Sequence, residues 1–469
     1  MSSFHSITGF LVASLYVPIG FAQVRAPIGK ISTDWFAVGQ VASAPRVADG
    51  PEATVEARLL SPPGAQMCRA QFREWNLPPG TRLRLTSTTT GEAADMDAAA
   101  LTEWSGFTPI FNGGTLLIEL VCTPPHEAAS VVIERVASIV DADGAGAGIQ
   151  NRALCGPDDR VRDSSGPVAR LWNVGVVCTA SLIMTGEHMV SAGHCGPLLS
   201  NALVEFDPPD STTGGNRVAA PPDRQFPFIV GSELRDSDST LEPCPEPNQA
   251  QMCITSLGDD AMVFRVARNV NGQTAGQSRG THMPIYRYSL LGFVPQQNGF
   301  RKWGCGVMVP ANNVFSMTMK RVDGVLLTSS NLDGGWYWGY QQDQTGGDSG
   351  GPIISITLGA AIGVISFSDT NGCTAGSFSF SDSDFSGLIA SAVQADTTLF
   401  VDHANSTRSS NTSADGSIWN PSLLFSDAYR FVPPTGRILI SPGTYAVGGG
   451  DLTRPCTIVA PLGSVTLTR

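Results

Sequence analysis

The chain has 469 residues, more than one hydrophobic core accommodates, so it divides into several domains. Only 15 % of the residues are charged, and 51 Gly with 32 Pro disfavour long surface helices and suit turn-rich β-structure. A net charge of −12 argues against a nucleic-acid partner, because phosphate binding needs clustered Lys and Arg; an acidic extracellular surface is the simpler reading.

The first element is an apolar run from Ser6 to Ala22, interrupted by Pro18. It is short for a membrane span, and Gly20-Phe21-Ala22 places small residues where a signal peptidase needs them, so residues 1–22 read as a signal peptide. Export to the extracellular space or periplasm follows, and with it the expectation that the ten cysteines serve as disulfides. Neither CxxC nor HxxxH occurs, so no metal or other cofactor is expected. No later stretch is long and apolar enough to span a bilayer.

Residues 23–140 alternate apolar and polar positions between turn signals at Leu77-Pro-Pro-Gly80 and Asn112-Gly-Gly114. Thr81–Thr86 and Thr115–Val121 read as strands, and an antiparallel β-sandwich is the natural packing. Cys68 and Cys122, the two cysteines of this segment, are expected to pair. Asp141–Gly148 has the composition of a flexible linker, placed at residues 141–150, and residues 151–395 form the central domain. Beyond Asp396, residues 396–469 read as the opening of a right-handed parallel β-helix, whose coils need neighbours to bury their apolar face. A small irregular β-extension is the alternative.

Three segments of the central domain fit one mechanism. Cys178-Thr-Ala-Ser-Leu-Ile183 and Val190-Ser-Ala-Gly-His-Cys195 describe an apolar strand and a tight turn that delivers His194, with a Cys178–Cys195 bridge to pin it. An imidazole of pKa about 6.5 can take a hydroxyl proton and return it to a leaving amine. Thr345-Gly-Gly-Asp-Ser-Gly-Gly-Pro-Ile353 presents Ser349 on a glycine-flanked turn, where a nearby base can activate it. The same turn frees the amides of Gly347 and Ser349 to form an oxyanion hole. Two cysteines in Cys244–Cys253 bracket a Pro- and Asn-rich loop and read as a local pair.

Val190–Cys195 and Gly347-Asp-Ser-Gly-Gly-Pro352 resemble the His and Ser motifs of the trypsin/chymotrypsin family, in that family's order. Cys155-Gly-Pro-Asp-Asp-Arg-Val161 is closer to its bacterial and fungal secreted branch, which includes glutamyl endopeptidases, and the stretch from Gly106 to Glu119 resembles the amino-terminal segment of proteases related to lysyl endopeptidase. The resemblance implies an all-β fold of two packed six-stranded barrels, a chymotrypsin-like double barrel, over about 155–395, with the site between them. It also implies an acid between His194 and Ser349. Asp260-Ala-Met-Val-Phe-Arg-Val266 fits the family pattern without gaps apart from Met262, whereas Asp259 fits only with a shifted register. Cys155 and Cys373 resemble a bridge of the lysyl endopeptidase branch, and the pairing of Cys155, Cys305, Cys373 and Cys456 stays open.

By the same analogy the strand Gly363–Ser368 pairs with the substrate backbone through Ser366, Phe367 and Ser368. Asp343, six residues before Ser349, stands where trypsin-like members bind Lys or Arg; a loop acid bonded to backbone amides is the competing reading. Ile365 replaces the His that marks glutamyl endopeptidases. The expectation is a secreted serine endopeptidase acting on proteins or peptides through His194, Asp260 and Ser349, cleaving after Lys or Arg. The alternatives are a non-catalytic binding or adhesion protein on the same scaffold, and a zymogen in which residues 23–150 are a propeptide. Asp348, beside the oxyanion hole, must meet a cation: a new amino terminus cut near Arg152-Ala153, or an internal Arg.

Overall fold

A computed structural model of the chain describes residues 21–22, 32–37, 40–43, 53–123, 129–140, 152–173, 176–196, 198, 200–237, 241–243, 252–254, 260–287, 299–308, 313–332, 335–369, 374–395, 397–402, 416–448 and 452–468. The linker assigned to residues 141–150 and the Cys244 and Cys373 positions lie outside them.

The amino-terminal segment forms two antiparallel sheets. One joins Ser32–Ala37, Ser130–Val140, Met67–Asn76 and Phe111–Asn112, with Gln40–Ser43 also on Ser130–Val140; the other joins Ala53–Leu60, Leu116–Cys122, Thr81–Ser87 and Ala93–Met96. Period-two patterning produces this: Thr81, Leu83, Leu85 and Ser87 are buried while Arg82, Arg84 and Thr86 are half-buried. Phe72, Leu83, Leu85, Ile118 and Ile133 share the core. The expected Cys68–Cys122 bridge does not form. The two lie in different sheets, Cys68 opposite Ser138 and Phe111 and Cys122 opposite Ala53 and Thr81, and both are buried free thiols. Burial pushes the Cys68 thiol up to about 12, with Glu92 adding to the shift.

Two barrels follow. In the first, Gln225–Pro227, Leu203–Phe206, Val168–Asn173, Val176–Leu182, His188–Ser191, Asp260–Arg265 and Leu234–Ser237 lie in that order. A bridge between Phe228 and Val266 curls its ends together. The second runs Ala360–Asp369, Pro352–Ser355, Gly299–Gly304, Lys320–Leu332, Gly335–Gln341 and Thr374–Ser379, and closes because Thr374–Ser379 also pairs with Ala360–Asp369. This is the all-β, chymotrypsin-like double barrel that the motifs imply. The helix Ser383–Val393, capped by Asp382, packs against the strand Asp260–Arg265. Gln225 anchors the amino-terminal sheets to the first barrel by exchanging bonds of 2.8 and 2.7 Å with the backbone of Ile110.

In the tail, Thr398–Val401, Arg437–Ile440 and Thr457–Val459 pair in parallel, as do Gly443–Ala446 and Val465–Thr468. Parallel stacking of successive segments is the arrangement of a solenoid coil, and Val401, Phe425, Ile438, Ile440 and Tyr445 fill its interior.

Where the barrels meet, Arg170 and Glu205 stand opposite each other on neighbouring strands, 2.8 Å apart and both fully buried. Arg170 also donates to the carbonyls of Met317 and Val218, 2.8 and 2.7 Å away. The pair therefore ties the first barrel to a loop of the second. Arg170→Met strands the Glu205 carboxylate without its nearest cation and is expected to cost about 3–5 kcal/mol, read as a lower denaturant midpoint; an additional Glu205→Leu change should restore part of the loss.

Candidate active site

The strand His188–Ser191 is buried throughout and lies between Val176–Leu182 and Asp260–Arg265. It ends in one 3-10 turn, Gly193–Cys195, which the Cys178–Cys195 disulfide holds to the neighbouring strand. The turn brings His194 onto Asp260 twice. The backbone N–H of His194 donates to Oδ1 at 2.7 Å, and ring Nδ1 lies 2.9 Å from Oδ2. The Ser366 hydroxyl donates to the same Oδ2. Burial opposes an ionised Asp260, but His194 and Ser366 outweigh it and hold the carboxyl below its usual range. A carboxylate at Nδ1 selects the tautomer whose lone pair is on Nε2, and Nε2 is buried with no hydrogen-bond partner among the described residues. Asp259, the alternative acid, lies outside the described residues.

Ser349 comes from the second barrel. Gly350 has φ +80°, and a Cβ there would sit 2.0 Å from Ser191 Oγ and 2.2 Å from the Thr179 carbonyl, so only glycine lets the Ser349 turn cross the histidine strand this closely. The Thr179 N–H donates to the Ser349 carbonyl at 2.7 Å, and the Thr179 hydroxyl donates to the Gly347 carbonyl at 2.8 Å. One residue of the first barrel thus fixes both ends of the turn. The N–H groups of Gly347 and Ser349 have no acceptor among the described residues, which leaves two donors on one short loop.

Asp348 points the other way, into the protein. Its Oδ1 accepts from the Gly306 N–H at 2.8 Å, and its Oδ2 accepts from the Thr345 N–H at 2.9 Å and from Arg160 Nη1 at 2.8 Å. Arg160 is held in turn by Asp158 at 2.6 Å, the Thr345 hydroxyl at 2.7 Å and the Val307 carbonyl at 2.5 Å. Burial opposes the charged form of Asp348, but Arg160, Lys302 and Lys320 outweigh it and hold its carboxyl low. Of the two cation sources anticipated, the structure supplies the internal Arg.

Asp343 is 2 % exposed, with Oδ1 accepting from the Cys155 N–H at 2.6 Å and Oδ2 from the Asp159 N–H at 2.8 Å. It sits among backbone amides, as the competing reading had it. Ser366 turns its hydroxyl to Asp260, and the tip of the Phe367 ring lies against Gly376. Of Ser368 only the backbone is described: it pairs with Ala375 and with Ala22, because Phe21–Ala22 adds a strand at Ser368 and Asp369. Sequence reasoning left Arg160, Thr179, Lys302 and Gln344 without roles. Arg160 lies in the Cys155–Val161 stretch, and no local signal pointed from it to Asp348.

Arg160→Met leaves Asp348 buried beside weaker counter-charges and is expected to cost about 3–5 kcal/mol at neutral pH. A depressed carboxylate stabilises the fold above its unfolded pKa, about 3.9, and that stabilisation is lost as pH falls through the folded value. The gap between wild type and Arg160→Met in denaturant titrations should therefore be present at neutral pH and narrow in acid as Asp348 protonates.

No family model matches the chain, and no curated protein matches it. Among solved structures, a Glu endopeptidase in complex with MPD is 16 % identical, with 51 % of this chain and 98 % of that chain covered at a TM-score of 0.34. An atomic-resolution structure of HBP is 16 % identical, covering 50 % and 96 %, and human heparin binding protein is 17 % identical over the same shares, both at 0.34. The functional reading rests on the residues of this site, and the fold, on its own strand order, is the chymotrypsin-like double barrel.

Proposed function

We propose that the chain is a secreted serine endopeptidase. His194 Nε2 takes the Ser349 proton as the hydroxyl attacks a peptide carbonyl, and then protonates the leaving amine. Asp260 orients the imidazole and stabilises its charged form, while the N–H groups of Gly347 and Ser349 receive the developing oxyanion. Water then repeats the sequence on the acyl-enzyme. The observation that carries this reading is the pair of hydrogen bonds that His194 makes to the Asp260 carboxylate, which leaves Nε2 without a partner among the described residues while the adjoining Cys195 sulfur lies 3.9 Å from the Ser349 carbonyl. A non-catalytic scaffold has no need of that tautomer.

One observation favours a latent form of the same enzyme. Phe21–Ala22 lies along Ser368 and Asp369, the edge that would pair with substrate, and His194 and Ser349 are each 2 % exposed. Phe21–Ala22 ends the expected signal peptide, so this obstruction is relieved by removal of the leader and does not bear on residues 23–150, and Arg160 makes a cut at Arg152-Ala153 unnecessary for neutralising Asp348. Cleavage after Lys or Arg would require Asp343 to release both backbone amides, so that preference has no support from its surroundings.

Ser349→Ala removes one hydroxyl and nothing else. Peptide hydrolysis should fall roughly 10⁴-fold or more with the denaturant midpoint unchanged. Near-native turnover in that variant would refute the mechanism. The same assay on a chain beginning at Gln23 should show faster hydrolysis than the full chain if Phe21–Ala22 obstructs the edge.

A further inference from the structure

Two carboxamides cross the junction between the amino-terminal sheets and the first barrel, in opposite directions. Gln225 of the barrel, fully buried, accepts from the Ile110 N–H and donates to the Ile110 carbonyl. Asn112, two residues further on, reaches back the other way. Its Oδ1 accepts from the Ala219 N–H at 2.8 Å, and its Nδ2 donates to the Ala219 carbonyl at 3.0 Å. Each side chain thus completes a stretch of buried backbone that belongs to the other unit. Arg69, on the strand Met67–Asn76, is buried and places its guanidinium on carbonyls of both units. Nε donates to Thr108 at 2.6 Å and Nη1 to Asn201 of the barrel at 2.7 Å. Burial pulls Arg69 down to about 9, and the attraction that opposes this comes from Glu205, again in the barrel.

The apolar side of the junction is continuous too. Trp104, Ile110 and Phe111 of the sandwich belong to the same buried cluster as Phe226 and Phe228 of the barrel. Parting the two units would wet that cluster and leave buried amides, carboxamides and a guanidinium without partners, which is costly for each group. A shared core with reciprocal buried hydrogen bonds is the character of a permanent interface, and a segment destined for release would not need it. The contact at Trp104 also lies away from the site. Its Nε1 donates to the Arg268 carbonyl at 3.0 Å, beyond the end of the strand Asp260–Arg265. At about 3.3 Å per residue, the two ends of that strand are roughly 16 Å apart, and the triad acid stands at the other end.

We infer that residues 53–140 are a permanent partner of the first barrel, kept by the active protein, and are not a pro-region released on activation. Cutting the chain between residues 140 and 151 leaves the two pieces bound to each other. Retention rests on the interface alone, and the activity of the retained form rests on the peptidase reading. The zymogen alternative predicts the reverse, an amino-terminal piece that departs and a remainder that gains activity.

The test places the recognition sequence of a site-specific protease within residues 141–150 of the full chain. The chain is cut, and the products are separated by size-exclusion chromatography without denaturant. The expected result is co-elution of both pieces, with peptide hydrolysis and fluorophosphonate labelling unchanged by the cut. Asn112→Ala with Gln225→Ala should weaken the hold between the cut pieces roughly tenfold or more, read as separation on dilution. Hydrogen exchange on the unaltered chain gives a second measurement, should that variant fail to fold. The Ile110 and Ala219 amides should exchange as slowly as those of the barrel strands. Wild-type pieces that elute apart, a rise in hydrolysis on cutting, or fast exchange at both amides overturns the proposal. Co-elution in a chain that neither labels nor hydrolyses would sustain the interface and refute the peptidase reading instead.

Discussion

The site depends on one carboxylate buried where water cannot stabilise it. Asp348 adjoins Ser349 in the chain, so wherever its side chain goes, the turn carrying Ser349 follows. A lone buried charge costs several kcal/mol, and the fold meets that cost with the Arg160 guanidinium and the N–H groups of Gly306 and Thr345. With the side chain held inward, the N–H groups of Gly347 and Ser349 are without acceptors among the described residues. Arg160 is fixed from four sides, so this geometry belongs to the unprocessed chain and does not wait for a new amino terminus.

The remaining parts come from the other barrel, and close contact joins the two halves. His194 and Asp260 are set by adjoining strands of the first barrel, and Ser349 by a turn of the second. Thr179 spans the gap, binding the carbonyls of Ser349 and Gly347 and accepting from the Cys305 N–H at 2.9 Å. Arg170 does the same on another side of the junction. A substitution far from the chemistry could therefore move the nucleophile relative to its base, and small displacements of that kind are costly to rate.

Much of this was legible in the residues. Local motifs with a fixed geometry, such as Ser-Ala-Gly-His-Cys and Gly-Asp-Ser-Gly-Gly, announce the turns they form, and the Cys178–Cys195 bridge agrees with their spacing. Asp260 was readable because a strand must start at the acid, and the alternation of Thr81–Ser87 gave the sandwich layers. What escaped were contacts between residues far apart in sequence. Arg160 and Asp348 are separated by 188 positions, and nothing local marks their meeting. Cys68 and Cys122 looked like partners because they were alone in their segment, yet two sheets hold them apart. Asp343 carries the expected residue at the expected offset, and its carboxylate lies on the backbone amides of Cys155 and Asp159, contacts that no local pattern announced.

The central claim is that Ser349 is a nucleophile made reactive by His194 and Asp260. Its most direct measurement is covalent labelling of the chain with a fluorophosphonate, with the adduct located by peptide mass spectrometry. The account predicts a single adduct on Ser349 that disappears in His194→Ala and forms far more slowly in Asp260→Asn. Absence of an adduct, or labelling indifferent to His194, would contradict it.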